Sequence, residues 1–86
     1  MTRVRVLYFA GVRDLLGIVE EELDLPPEIV NLAGFIRFLV EAHPALDGRL
    51  GGVRFAINET FADASDPPGA GDGLAVIPPV AGGRPS

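Results

Sequence analysis

The chain has 86 residues, seven Arg, twelve Asp plus Glu and a formal charge of −5, which bounds it to one small domain with no room for a deep substrate cavity. Acidic balance disfavours nucleic acid and anionic membranes as partners and suits docking to a basic protein surface. The absence of Cys excludes disulfides, thiolate metal sites and Cys nucleophiles, and the absence of Lys excludes Schiff-base and Lys-based phosphate chemistry.

Residues 3–9 alternate: Val4, Val6 and Tyr8 fall on one face, and Arg3, Arg5, Leu7 and Phe9 on the other. Period two predicts a half-buried strand. Residues 10–16 form a short helical segment stopped by Gly17. Residues 18–25 read as a second strand, with Val19, Leu23 and Leu25 on one face and Glu20, Glu22 and Asp24 on the other. Pro26-Pro27 ends it, because proline cannot donate to a ladder. Asn31 is a suitable N-cap. Leu32, Phe35, Ile36, Leu39 and Val40 then follow helical spacing, giving one buried stripe that ends near His43, before Pro44.

Residues 45–52 read as loop, with Gly48, Gly51 and Gly52 as turn signals. Residues 53–58 form a third strand, with Val53, Phe55 and Ile57 on one face, and residues 59–62 can continue as a short strand. Residues 63–73, rich in Asp, Pro and Gly, are turns. Residues 74–77 form the last strand, with Leu74 and Val76 inward and Ala75 and Ile77 outward, closed by Pro78-Pro79. Residues 80–86 have little to pack and are expected to form a flexible tail on a domain of residues 1–79. Strand, strand, helix, strand, strand suggests an α+β fold: a sheet with one main helix on one face. No apolar run approaches the roughly 20 residues of a membrane span, and the N-terminus lacks a signal-peptide core. Both point to a cytoplasmic protein.

Val6-Leu7-Tyr8-Phe9-Ala10, followed by Arg13, Leu15 and Gly17, resembles the start of molybdopterin synthase small subunits, the MoaD type of the MoaD/ThiS family. The stretch from Gly71-Asp72-Gly73 through Leu74-Ala75-Val76-Ile77-Pro78-Pro79 to Val80-Ala81-Gly82-Gly83 resembles their closing pattern. Ala56-Ile57-Asn58-Glu59 and Glu41-Ala42-His43-Pro44 match in order and spacing. The resemblance implies a β-grasp (ubiquitin-like) fold with a mixed sheet. It implies a sulfur carrier that is not itself an enzyme. A partner adenylyltransferase of the MoeB type spends ATP to make an acyl-adenylate of the terminal glycine, here Gly83. Sulfur then displaces AMP to give a thiocarboxylate. The synthase large subunit, of the MoaE type, accepts the tail and moves sulfur to precursor Z, in a 2:2 assembly. The chain itself binds no cofactor and no metal in this scheme.

Such chemistry needs only delivery of a terminal carbon into two partner sites. Glycine is thin and conformationally permissive, and Val80, Ala81, Gly82 and Gly83, fully extended, reach about 13 Å at roughly 3.3 Å each. Pro78 and Pro79 stiffen the tail's root. Leu7, Phe9 and Ile77 lie opposite the helix-covered face, and an open apolar face marks an interface. Arg13 and Phe61 match family contact positions. Phe9, Arg13, Phe61 and Ile77 are therefore expected to ring the tail's root, against the alternative that Phe9 or Phe61 belongs to a second core cluster.

His43, the single histidine, sits at a helix end without a nucleophile pattern, so it is read as non-catalytic. Glu20, Glu21 and Glu22 could suggest a metal site, but alternation splits them between the two faces, so they read as a solvated acidic strand. Asp63, Asp66 and Asp72 lack calcium-loop spacing. One departure from the family pattern stands out: Arg84-Pro85-Ser86 follow Gly83. Activation of Gly83 therefore requires their removal, whether by a protease or because they belong to a fusion; otherwise this copy is inactive. A sister carrier for thiamine or cysteine synthesis, and a ubiquitin-like modifier or binding module without sulfur chemistry, are the competing readings.

Overall fold

The computed structural model describes residues 2–78. Its elements are β1 (Thr2–Tyr8), α1 (Ala10–Leu16), β2 (Glu20–Leu25), α2 (Leu32–Ala42), a 3₁₀ turn (Pro44–Leu46), β3 (Arg54–Ile57), β4 (Thr60–Phe61) and β5 (Gly73–Ile77). The strands form one mixed sheet in the order β2-β1-β5-β3-β4. β1 and β5 are parallel, with Tyr8 opposite Val76; every other pairing is antiparallel. This is the β-grasp arrangement, with α2 packed across one face.

Alternation decides the two faces of the sheet. Val4, Val6 and Tyr8 of β1, Leu25 of β2, Phe55 of β3 and Leu74 and Val76 of β5 all turn inward and are buried. They meet Leu32, Phe35 and Leu39 of α2, Val12 of α1 and Leu46 in one core. Phe35 and Phe55 pack edge to face, with ring centroids 6.3 Å apart. That geometry suits the aromatic quadrupole, whose ring edge is positive and face negative.

Helix α2 is started as the sequence predicts. The Asn31 side chain accepts from Gly34 N–H at 2.9 Å, and carbonyls of Asp66 and Ala64 accept from Leu32 and Ala33. The loop after β4 thus satisfies two more orphan donors of the helix. Helix α1 spans the predicted residues and ends at Gly17, whose φ of 71° is left-handed, a conformation glycine adopts without a Cβ penalty.

Three expectations need correction. Val19 is 62% exposed, because the ladder begins only at Glu20, opposite Leu7. After the Gly17 turn it is Ile18 that packs on the core. Glu21 is not part of a solvated acidic row: it lies on the inner side of β2, while Glu20 and Glu22 are exposed. Residues 45–52 are not all surface loop, since Leu46 in the 3₁₀ turn is fully buried and plugs the core beneath α2.

Candidate functional site: the open sheet face and the root of the C-terminal segment

Because β5 is the central strand and runs parallel to β1, the chain leaves the sheet at its middle, beside the start of α1. Tyr8 pairs with Val76, so Phe9 and Ile77 follow side by side; across β5, Ile77 pairs with Arg54. Pro78 then lines a surface recess with Val12, Leu15 and Arg49. Pro79, Val80, Ala81, Gly82 and Gly83, together with residues 84–86, lie outside the described residues. The expected tail therefore does too.

The face turned away from α2 carries a shallow depression of about 410 Å³. Leu7, Ala56, Ala75 and Ile77 contribute apolar lining, and Phe9 and Phe61 stand at its sides. Ala56 pairs with Ala75, which in turn pairs with Leu7, so two small side chains in adjacent strands create the hollow. Phe9 is 42% and Phe61 55% exposed. Neither ring belongs to a second core. Leu7, Phe9, Phe61 and Ile77 thus line one depression; the tail that they were expected to surround lies outside the described residues. Arg13 is not among the lining residues. It sits on the exposed side of α1, 4.0 Å from Asp14.

The sequence reading passed over several residues here. The Arg54 guanidinium lies 3.8 Å from the centroid of the Phe61 ring, a cation–π contact that fixes the ring's orientation. Arg5, Asn58 and Glu59 border the depression. Asn58 is tied down from several directions. Its Oδ1 accepts from Gly73 N–H at 2.9 Å, its Nδ2 donates to Asp72 Oδ1 at 2.9 Å, and its backbone N–H donates to the Gly73 carbonyl at 2.8 Å. Asp72 in turn accepts from Gly69 N–H at 2.7 Å. The acidic turn before β5 is therefore a clamp that positions the last strand against the β3–β4 connection. Asn58 between two short strands was the available signal for this turn, since asparagine tolerates the left-handed region.

On the opposite, helix-covered face, Glu21 joins Tyr8 and His43. Tyr8 OH donates to Glu21 Oε2 at 2.5 Å, and His43 Nε2 lies 2.5 Å from the same oxygen. The Tyr8 and His43 rings meet edge-on at 6.1 Å. Burial, then the hydrogen bond to Glu21 and its charge, push the Tyr8 phenol far above its ordinary range. The group fastens β2 to the end of α2. It lies on the other face of the sheet from the depression.

Among the described residues no group of three or more His, Cys, Asp or Glu could hold a metal ion, and no helix is long and apolar enough to cross a membrane. A mixed β-grasp sheet with an open apolar face alongside its central last strand defines a small ubiquitin-like protein. A family model described as the ThiS family matches residues 6–83, and the chain belongs to that family.

The relatives narrow this further. The chain is 32% identical over 83 residues to the molybdopterin synthase sulfur carrier subunit of Chlamydomonas reinhardtii, covering 94% of this chain and 99% of that one. It is 31% identical over 86 residues to the human protein of the same name, covering 96% and 97%. Among solved structures, the small archaeal modifier protein SAMP1 of Haloferax volcanii superimposes with a TM-score of 0.82 at 27% identity, covering 94% of this chain and 99% of that one.

Proposed function

We propose that this chain is the sulfur-carrying small subunit of a molybdopterin synthase, with Gly83 as the residue that bears sulfur. The observation that carries the reading is the exit of the chain from the central strand beside an exposed apolar depression, in a sequence whose family match runs to Gly83. The names of the curated relatives support the same pathway.

The chemistry follows from what a carboxylate lacks. Its charge and resonance make it a poor electrophile, so a MoeB-type partner first joins the Gly83 carboxylate to AMP from ATP, releasing pyrophosphate. A sulfur donor then displaces AMP, leaving a thiocarboxylate. Within the synthase the MoaE-type large subunit moves that sulfur to precursor Z. The carrier contributes no acid, base, metal or bound cofactor. Pro78 through Gly82 act as the delivery segment, and Leu7, Phe9, Phe61 and Ile77 form the docking surface, to which Arg13, exposed on α1 outside the depression, adds a charge. These steps belong in the cytoplasm, where ATP is available. Because Arg84 follows Gly83 in the sequence, activation requires cleavage of the Gly83–Arg84 bond.

Intact mass spectrometry of the protein from its native host tests this. The expected species ends at Gly83 and is heavier than its carboxylate form by the difference between one sulfur and one oxygen atom. A chain always continuous to Ser86 in cells making the molybdenum cofactor refutes it. The likeness to SAMP1 favours a second reading, in which the Gly83 carboxylate is joined to amines of other proteins. Adducts of this chain on Lys side chains, in place of the thiocarboxylate, would establish that role. Having no Lys of its own, the chain cannot form Lys-linked chains with itself.

A further inference from the structure

The connection between β3 and β4 is two residues long, closed by the Ile57–Thr60 pair. Both residues have positive φ, 50° at Asn58 and 72° at Glu59, the class of hairpin turn that favours Asn followed by Gly. Asn58 fits: asparagine tolerates the left-handed region, and its side chain is fully engaged with Asp72 and Gly73. Glu59 does not. A left-handed conformation crowds its Cβ against the backbone, and nothing in the fold compensates. Among the described residues its carboxylate makes no hydrogen bond and no ion pair. Neither Arg54 nor Arg5 is used for it. Arg54 is stacked on Phe61, and Arg5, bordering the same depression, is not within ion-pair distance of it.

A residue that strains its own turn and leaves its charge unpaired contributes nothing evident to the isolated fold. Its position does suggest a use: it stands exposed at the rim of the apolar depression, with Phe61 two residues on. We propose that Glu59 is a partner-recognition residue, whose carboxylate takes a Lys or Arg side chain of the large subunit when that protein covers the open sheet face. The inference rests on the carrier reading above. Covering the depression strips water from its rim, which strengthens a matched pair and penalises a partner that leaves the carboxylate alone. The strain is then a local cost retained for specificity.

Calorimetric titration of the host's own large subunit with wild type, Glu59→Gln and Glu59→Gly tests it. Glu59→Gln removes the charge and keeps the strained turn, so affinity should fall roughly five- to tenfold at low salt, with a flatter salt dependence. Glu59→Gly should lose affinity similarly while its melting temperature stays equal to wild type or rises. Unchanged affinity in both variants overturns the proposal while leaving the carrier reading intact. A lower melting temperature for Glu59→Gly also overturns it, since Glu59 would then serve the fold. Failure of the wild-type chain itself to bind the large subunit refutes the carrier reading, and this inference with it.

Discussion

With neither Lys nor Cys in the sequence, Tyr8 is the one side chain whose ordinary titration falls between about pH 9 and pH 11. It is 1% exposed, and its hydroxyl donates to Glu21. Ionising it in the folded state would place a phenolate in a part-buried site against a carboxylate. The folded pKa is accordingly raised above its ordinary 10.0. A raised pKa means that the stabilisation is fully present below the unfolded value and is lost as pH climbs above it. One pH unit above that value, the unfolded phenol is about nine-tenths ionised while the folded one stays neutral. The fold therefore loses about 1.4 kcal/mol between about pH 9 and pH 11. For so small a domain that is a sizeable share of a total near the low end of 5–15 kcal/mol, roughly. Urea unfolding followed by circular dichroism at the two pH values measures the loss, and Tyr8→Phe should abolish the slope. Near-ultraviolet phenolate absorbance gives an independent reading, because no other Tyr contributes. A phenolate appearing at its ordinary pH in a chain that is still folded, or equal stability at both pH values, would refute the reasoning.

Two further outcomes follow from the packing. A Cβ added at Gly34 would meet Asn31 Oδ1 at 3.6 Å, Ile29 Cδ1 at 3.7 Å and Arg37 Nη2 at 3.8 Å, all ordinary contacts. Gly34→Ala should therefore stabilise the domain by about 0.5–1 kcal/mol through helix propensity and reduced freedom of the unfolded chain, seen as a higher melting temperature; a lower one would mean α2 cannot accept the methyl. Phe9 is the N-cap position of α1 and makes no side-chain cap bond, so Phe9→Asp puts a good capping residue there. The melting temperature should hold, while affinity for the large subunit falls about tenfold or more; unchanged affinity would remove Phe9 from the interface, and loss of the fold would return it to the core.

Much of the fold was legible because burial imposes a period. The alternation of Val4, Val6 and Tyr8, the stripe from Leu32 to Leu39, the Asn31 cap and the Gly17 stop are local patterns, and the structure keeps them. The phase of β2 held, with Leu23 and Leu25 inward and Glu20, Glu22 and Asp24 outward. Val19 is exposed because it precedes the ladder with β1, whose start is set by a pairing that is not local. That Glu21 on the inner side meets Tyr8 and His43 is likewise a contact between distant residues. Leu46 was missed since three residues are too few to show a period. At the candidate site, the outward set Leu7, Phe9 and Ile77 could be read from alternation alone. Glu59 and Arg54 could not, as a backbone angle and a stacking partner leave little trace in composition.

By itself, then, the sequence determined which residues are apolar in which rhythm, where helices start and stop, and which family the two ends of the chain resemble. Tertiary structure alone decided that the last strand lies in the centre of the sheet, parallel to the first, so that Ile77 at its end falls beside Phe9 and shares the open face with Phe61. Local propensity cannot encode that choice. A strand's hydrogen-bonding edges are the same whatever neighbour they meet, and the neighbour is selected only when the whole inward-facing set is buried at once against α2.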